Sequence, residues 1–166
     1  METTELILSF IQEIGITVQF ETIEEPTFLP GILIRKGGLV VDENKLLYPG
    51  DLLHEAGHLA VMPDRVRKNM SGDLDMDPIH HGGELAAIAW SYAACIHLHL
   101  DPHIVFHDKG YKGGADSIIN SFSTGMGIGT PLLIWQEMTN EKGKNDDHCF
   151  PAMKSWLCCV DKYELK

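Results

Sequence analysis

Tyr48-Pro49-Gly50-Asp51-Leu52-Leu53-His54-Glu55-Ala56-Gly57-His58-Leu59-Ala60-Val61-Met62-Pro63 is the stretch on which the reading of this 166-residue chain turns. Tyr48 to Asp51 reads as a turn, and residues 51–61 as an apolar helix stopped at Pro63. On a helix, residues four apart share a face, so the imidazoles of His54 and His58 converge on one ion. Zinc takes neutral imidazole nitrogen well, and a catalytic site uses three protein ligands with the fourth position open to water. Glu55, beside the first imidazole, is placed to activate that metal-bound water as general base.

Upstream, residues 3–14 carry Leu6, Ile7, Phe10, Ile11 and Ile14 at helical spacing before Gly15. Ile16 to Glu21 alternates as a half-buried strand does, and Glu24-Glu25-Pro26 breaks it. Ile32-Leu33-Ile34 and Leu39-Val40-Val41 flank Arg35-Lys36-Gly37-Gly38, a β-hairpin signal. Downstream, residues 64–82 read as an exposed acidic loop and Glu84 to His99 as the longest helix. Gly110 to Gly114 reads as a flexible connection, and further helices are expected at Ser117–Phe122 and Pro131–Thr139. The sum is a single α+β domain over residues 1–166, with helices dominating the second half.

Two histidines do not complete a metal site, so a third ligand is expected. Glu84 is the choice, 26 residues after His58 and at the start of the next long helix, where the dipole favours an acidic side chain. His80 and His81 in the preceding loop are its rivals, with His107 more distant. His107 and Tyr111 are also candidates for stabilising negative charge on a carbonyl oxygen under attack. His97, His99, His103 and His107 cluster around Asp101-Pro102, where exposed helix-end histidines are the ordinary reading and a second metal site the sharper one.

His54-Glu55-Ala56-Gly57-His58, followed by a helix carrying Glu84, Ala87 and Trp90, resembles the gluzincin class of metallopeptidases. It is most similar to the small ImmA/IrrE-like proteins, in which a hairpin precedes the His-Glu helix and the third ligand opens a Glu-x-x-Ala-x-x-aromatic helix. The likeness covers roughly residues 30–95, and no helix-turn-helix module of the kind often linked to that family is visible. It implies a zincin-like minimal fold, a Zn2+ cofactor held by His54, His58 and Glu84, and a peptide or protein substrate. A zinc-stabilised binding or regulatory protein with little turnover is the competing expectation.

Composition bounds the rest. A hydrophobic fraction of 44% and a charged fraction of 22% are ordinary for a globular domain. The net charge of −11 disfavours nucleic acid, which needs a basic footprint, while a cationic peptide is compatible with it. No apolar run reaches the roughly 20 residues that span a bilayer, and the acidic start Met1 to Glu5 is unlike a signal peptide, so a cytoplasmic protein is expected. Cys95, Cys149, Cys158 and Cys159 form no C-x-x-C pair and read as free thiols. Asp73, Asp75, Asp77 and Glu84 have the spacing of a calcium loop, but Pro78 stands where that loop needs glycine. The Gly125, Gly127, Gly129 run lacks the strand and acidic residue of a dinucleotide fingerprint and reads as a loop beside the cleft.

Overall fold

Lys36 and Gly37 both adopt positive φ, 50° and 76°, the conformation a two-residue hairpin turn needs to match the twist of its strands. They join β2 (Ile32–Arg35) to β3 (Gly38–Val41), with Ile34 opposite Leu39 and Ile32 opposite Val41. β1 (Val18–Phe20) pairs parallel to β3 on its other side, so the sheet order is β1-β3-β2. The central strand is buried throughout, and β2 alternates, turning Ile32 and Ile34 inward. This computed structural model describes residues 2–72, 78–124, 127–143 and 147–162, with side chains omitted over 78–82.

α1 (Thr3–Glu13) buries Ile7, Leu8, Phe10 and Ile11, the apolar stripe expected from its periodicity. α2 (Gly50–Ala60) and α4 (Pro78–His97) are the central helices, with the four-residue α3 (Asp64–Arg67) between them. Ser91 of α4 donates its hydroxyl hydrogen toward Ala87 O at 2.7 Å and lies 3.3 Å from Leu53 O of α2. A Cβ on Gly57 would lie 3.0 Å from Ala87 O. Leu53 facing Ser91 and Gly57 facing Ala87 make the pair antiparallel, and small residues let the backbones approach closely. Trp90, fully buried, donates its indole N–H to Trp156 O at 3.0 Å, which fastens the C-terminal segment to the core. Phe150, Met153, Trp156 and Leu157 pack on that core.

The domain is therefore mixed α+β: among the described residues, seven helices and one three-stranded sheet. Several boundaries differ from the expected ones. α4 begins at Pro78, not at Glu84, so Glu84 lies in the helix interior and the helix-start dipole argument for it does not hold. Part of the expected 64–82 loop is helical, as α3 and the start of α4, and residues 73–77, with the three aspartates of the calcium pattern, lie outside the described residues. A 3-10 turn (Pro102–Ile104) leads to α5 (Asp108–Tyr111), which occupies part of the expected flexible connection. α6 (Ala115–Ser123) follows, and α7 (Thr130–Trp135) stops short of Thr139 because Glu137 turns left-handed, φ 61°. Of the glycine run, Gly125 lies outside the described residues, and Gly129 caps α7.

His99 ends α4 with φ 55°, while Leu100 N–H bonds to Cys95 O at 2.9 Å and His99 N–H to Ile96 O at 3.2 Å. This is a Schellman closure with a histidine where glycine is ordinarily found. His99→Gly relieves the Cβ penalty of the left-handed conformation, and its side chain is exposed. A gain of about 1 kcal/mol is expected, measurable by urea denaturation.

No described helix is long and apolar enough to cross a membrane. Among the described residues no disulfide joins the cysteines: Cys95 and Cys158 are buried, Cys149 half-buried and Cys159 exposed. Burial pushes the Cys95 thiol up to about 12, so it behaves as a packing residue.

Candidate metal centre

α2 turns His54 and His58 to the same side, and α4 brings Glu84 against both. The two Nε2 atoms are 3.1 Å apart. His58 Nε2 lies 3.1 Å from Glu84 Oε2, and His54 Nε2 lies 3.7 Å from Glu84 Oε1. Four ligands in tetrahedral array at about 2.0–2.2 Å from an ion stand roughly 3.3–3.6 Å from one another. The observed spacings bracket that range. The donor set of two imidazoles and one carboxylate fits a divalent ion. Among the described residues this is the one group of three or more such side chains able to hold a metal.

The environment favours ligation. Burial, reinforced by the neighbouring His58, pushes the His54 imidazole down to about 4, so the ring is neutral at ordinary pH and needs no deprotonation to bind. For Glu84, burial acts upward, but the His58 hydrogen bond and the electrostatic attraction of the two rings outweigh it and leave the carboxyl below its usual range. The imidazole side chains are 13% and 9% exposed, whereas that of Glu84 is 44% exposed, so the site opens on the Glu84 side. Glu55 is half-buried and contributes to the negative surroundings that, after burial itself, push the Tyr111 phenol upward. Its charge is thus felt at the Tyr111 phenol.

Tyr111 and His107 come to this region from α5. The Tyr111 hydroxyl lies 3.3 Å from His54 Nδ1, the nitrogen facing away from Glu84. His107 is the N-cap of α5: its Nδ1 accepts from Gly110 N–H at 3.2 Å, so Nε2 carries the proton and donates to Asp51 Oδ1 at 3.0 Å. Tyr48 stacks on the His107 ring with centroids 4.0 Å apart. Burial raises the Asp51 carboxyl and the His107 hydrogen bond opposes that rise. Asp51 and Tyr48 were not singled out from sequence. Asp51 precedes His54 by three residues and His58 by seven, a same-face spacing that marks it in hindsight. The side chains of His80 and His81, the rival ligands, lie outside the described residues.

The remaining histidines go elsewhere. His97 packs against Phe10 and Trp156, ring centroids 5.6 and 5.0 Å away. His103, exposed, bridges Asp101 Oδ1 at 2.7 Å and Asp116 Oδ1 at 2.8 Å through its two ring nitrogens. Both nitrogens can donate only when the ring is charged, and the hydrogen bonds to Asp116 and Asp101 raise its pKa. The sign follows: this bridge contributes below His103's unfolded value near 6.5 and is lost as pH rises through the raised folded value. Asp116→Asn should lower the His103 titration midpoint followed by NMR; an unmoved midpoint would show that the bridge does not persist in solution.

Searches of protein-family models, of curated proteins and of solved structures found no match to this chain.

Proposed function

We propose that the chain is a zinc-dependent metallohydrolase of minimal size with a zincin-like fold, and that it hydrolyses peptide bonds. The observation that carries this reading is the convergence of His54 and His58 of α2 with Glu84 of α4, donor atoms within 4.8 Å of one another, where α2 also bears Glu55. Three protein ligands are the number a catalytic zinc site uses, and Glu84's exposure supports access for a substrate. The resemblance of the His-Glu helix and its following helix to ImmA/IrrE-like gluzincins supports the same reading.

A zinc ion held there would supply a Lewis acid that polarises the scissile carbonyl and makes water more acidic. Glu55 accepts a proton from the attacking water as its oxygen bonds to the carbonyl carbon. It returns that proton to the nitrogen as the C–N bond breaks, so the products are a carboxylic acid and an amine. The surplus of negative charge suits a cationic peptide. Incubating zinc-loaded protein with a broad peptide library, with mass-spectrometric detection, tests the assignment. Cleavage that a chelator abolishes and zinc restores is expected. A protein that holds zinc stoichiometrically yet cleaves nothing is instead a zinc-stabilised binding protein.

A further inference from the structure

The hydrogen-bond pattern at the three candidate ligands assigns a proton to each ring. An ionised carboxylate only accepts, so the 3.1 Å contact between His58 Nε2 and Glu84 Oε2 requires the proton on His58 Nε2. His54 Nε2, 3.1 Å from that same nitrogen, then presents its lone pair, because two N–H groups cannot face each other at that distance. The opposite tautomer would leave two lone-pair atoms, His58 Nε2 and Glu84 Oε2, in contact. A neutral His54 with a free Nε2 carries its proton on Nδ1. The atom 3.3 Å from Nδ1 is the Tyr111 phenol oxygen.

We propose that Tyr111 is a positioning residue of the metal site: its oxygen accepts the Nδ1 proton of His54 and thereby holds Nε2 toward the ion. This rests on the reading that His54, His58 and Glu84 bind a metal. A ligating imidazole ordinarily donates its second N–H to an acceptor that fixes its tautomer and orientation.

The phenol is itself held in place. Its ring packs on Phe106, centroids 5.3 Å apart. α5 is pinned to α2 at both ends, by His107 on Asp51 and by Tyr111 on His54. Residues four apart on α5 thus meet residues three apart on α2, and the short helix lies along the ligand-bearing one. A hydroxyl occupied at Nδ1 sits across the imidazole ring from the ligand nitrogen, away from where a scissile carbonyl would be polarised. His107, with both nitrogens engaged by Asp51 and Gly110, anchors the same clamp.

Tyr111→Phe removes the acceptor and keeps the ring. Two readouts test the proposal. Long-range 15N–1H correlation spectra of the metal-free protein report the His54 tautomer, and competition with a chromophoric chelator reports zinc affinity. The wild type is expected to show the proton on Nδ1. Tyr111→Phe should give mixed tautomers and a zinc Kd raised roughly 10–100-fold, the usual effect of losing such a partner. An unchanged tautomer and Kd overturn the proposal. So does an unchanged Kd with hydrolysis lost, which would put the phenol at the reacting carbonyl instead. Should Tyr111→Phe not fold, the wild-type spectrum decides, since an Nε2 proton on His54 contradicts the assignment. A wild type that binds no zinc at all overturns the metal-site reading itself, and this proposal with it.

Discussion

Zinc retention should collapse in His54→Ala, His58→Ala and Glu84→Ala and survive in Glu55→Gln. Each of the first three removes one of the three donors that the α2–α4 packing brings within 4.8 Å of one another. The loss should exceed the roughly 100-fold that removing an outer-shell partner can cost, because a bond to the ion itself is lost. Glu55→Gln leaves the donors intact and takes away only the proton acceptor. Its metal content should match the wild type while hydrolysis falls by roughly 10²–10⁴-fold, the usual weight of a general base. His80→Ala and His81→Ala should retain zinc. Native mass spectrometry of the six variants reads all of these outcomes. Zinc kept by Glu84→Ala but lost from His80→Ala or His81→Ala would make a histidine the third ligand and remove the ground for likening the chain to gluzincins.

The helix of the His54–His58 pair was legible because helical periodicity alone puts residues four apart on one face, and α2 runs over Gly50–Ala60, within a residue of its expected bounds. The hairpin was legible for a similarly local reason: Lys36-Gly37 sits between two apolar runs rich in β-branched residues and takes the positive φ angles such a turn needs. Glu84 was chosen partly for a reason that does not hold. Its supposed place at a helix start came from reading residues 64–82 as an exposed loop, and the poor helix formers Gly82 and Gly83 stand just before it. The helix runs through them from Pro78, and a Cβ on Gly83 would lie 2.7 Å from Met62 Cε. A helical glycine on which a neighbouring side chain packs looks, in sequence, like part of a loop. What brings Glu84 to the histidines is the spacing of Glu84, Ala87 and Ser91, three and four residues apart, which lines up the face of α4 that meets α2. The clamp from α5 was illegible for the opposite reason. Its two hydrogen bonds join residues 56 and 57 positions apart, and no local pattern reports such a pairing.

Gly50→Ala should destabilise the protein by about 3 kcal/mol, at the upper end of ordinary overpacking, and weaken zinc binding as well. A Cβ at this position would sit 1.9 Å from Ile104 O and 2.7 Å from Val105 N, so backbone atoms rather than a pliable side chain would have to move. Alanine's helix propensity, favourable by up to about 1 kcal/mol in a helix interior and less at a first residue, is too small to offset that overlap. Gly57→Ala is the informative comparison. Its Cβ would meet Ala87 O at 3.0 Å, a gap that a few tenths of an ångström relieves, so propensity and crowding nearly cancel there. For a chain of this length the Gly50 penalty corresponds to a fall of roughly 6–12 °C in Tm. The displaced segment leads from Ile104 through Phe106 directly into His107 and Tyr111, so its movement also loosens the contacts on Asp51 and on His54 Nδ1. Calorimetry of the metal-free protein and chelator competition on the same sample separate the two effects. A Gly50→Ala protein with lowered Tm but wild-type zinc affinity would show that α5 rides on α2 without influencing the ligands.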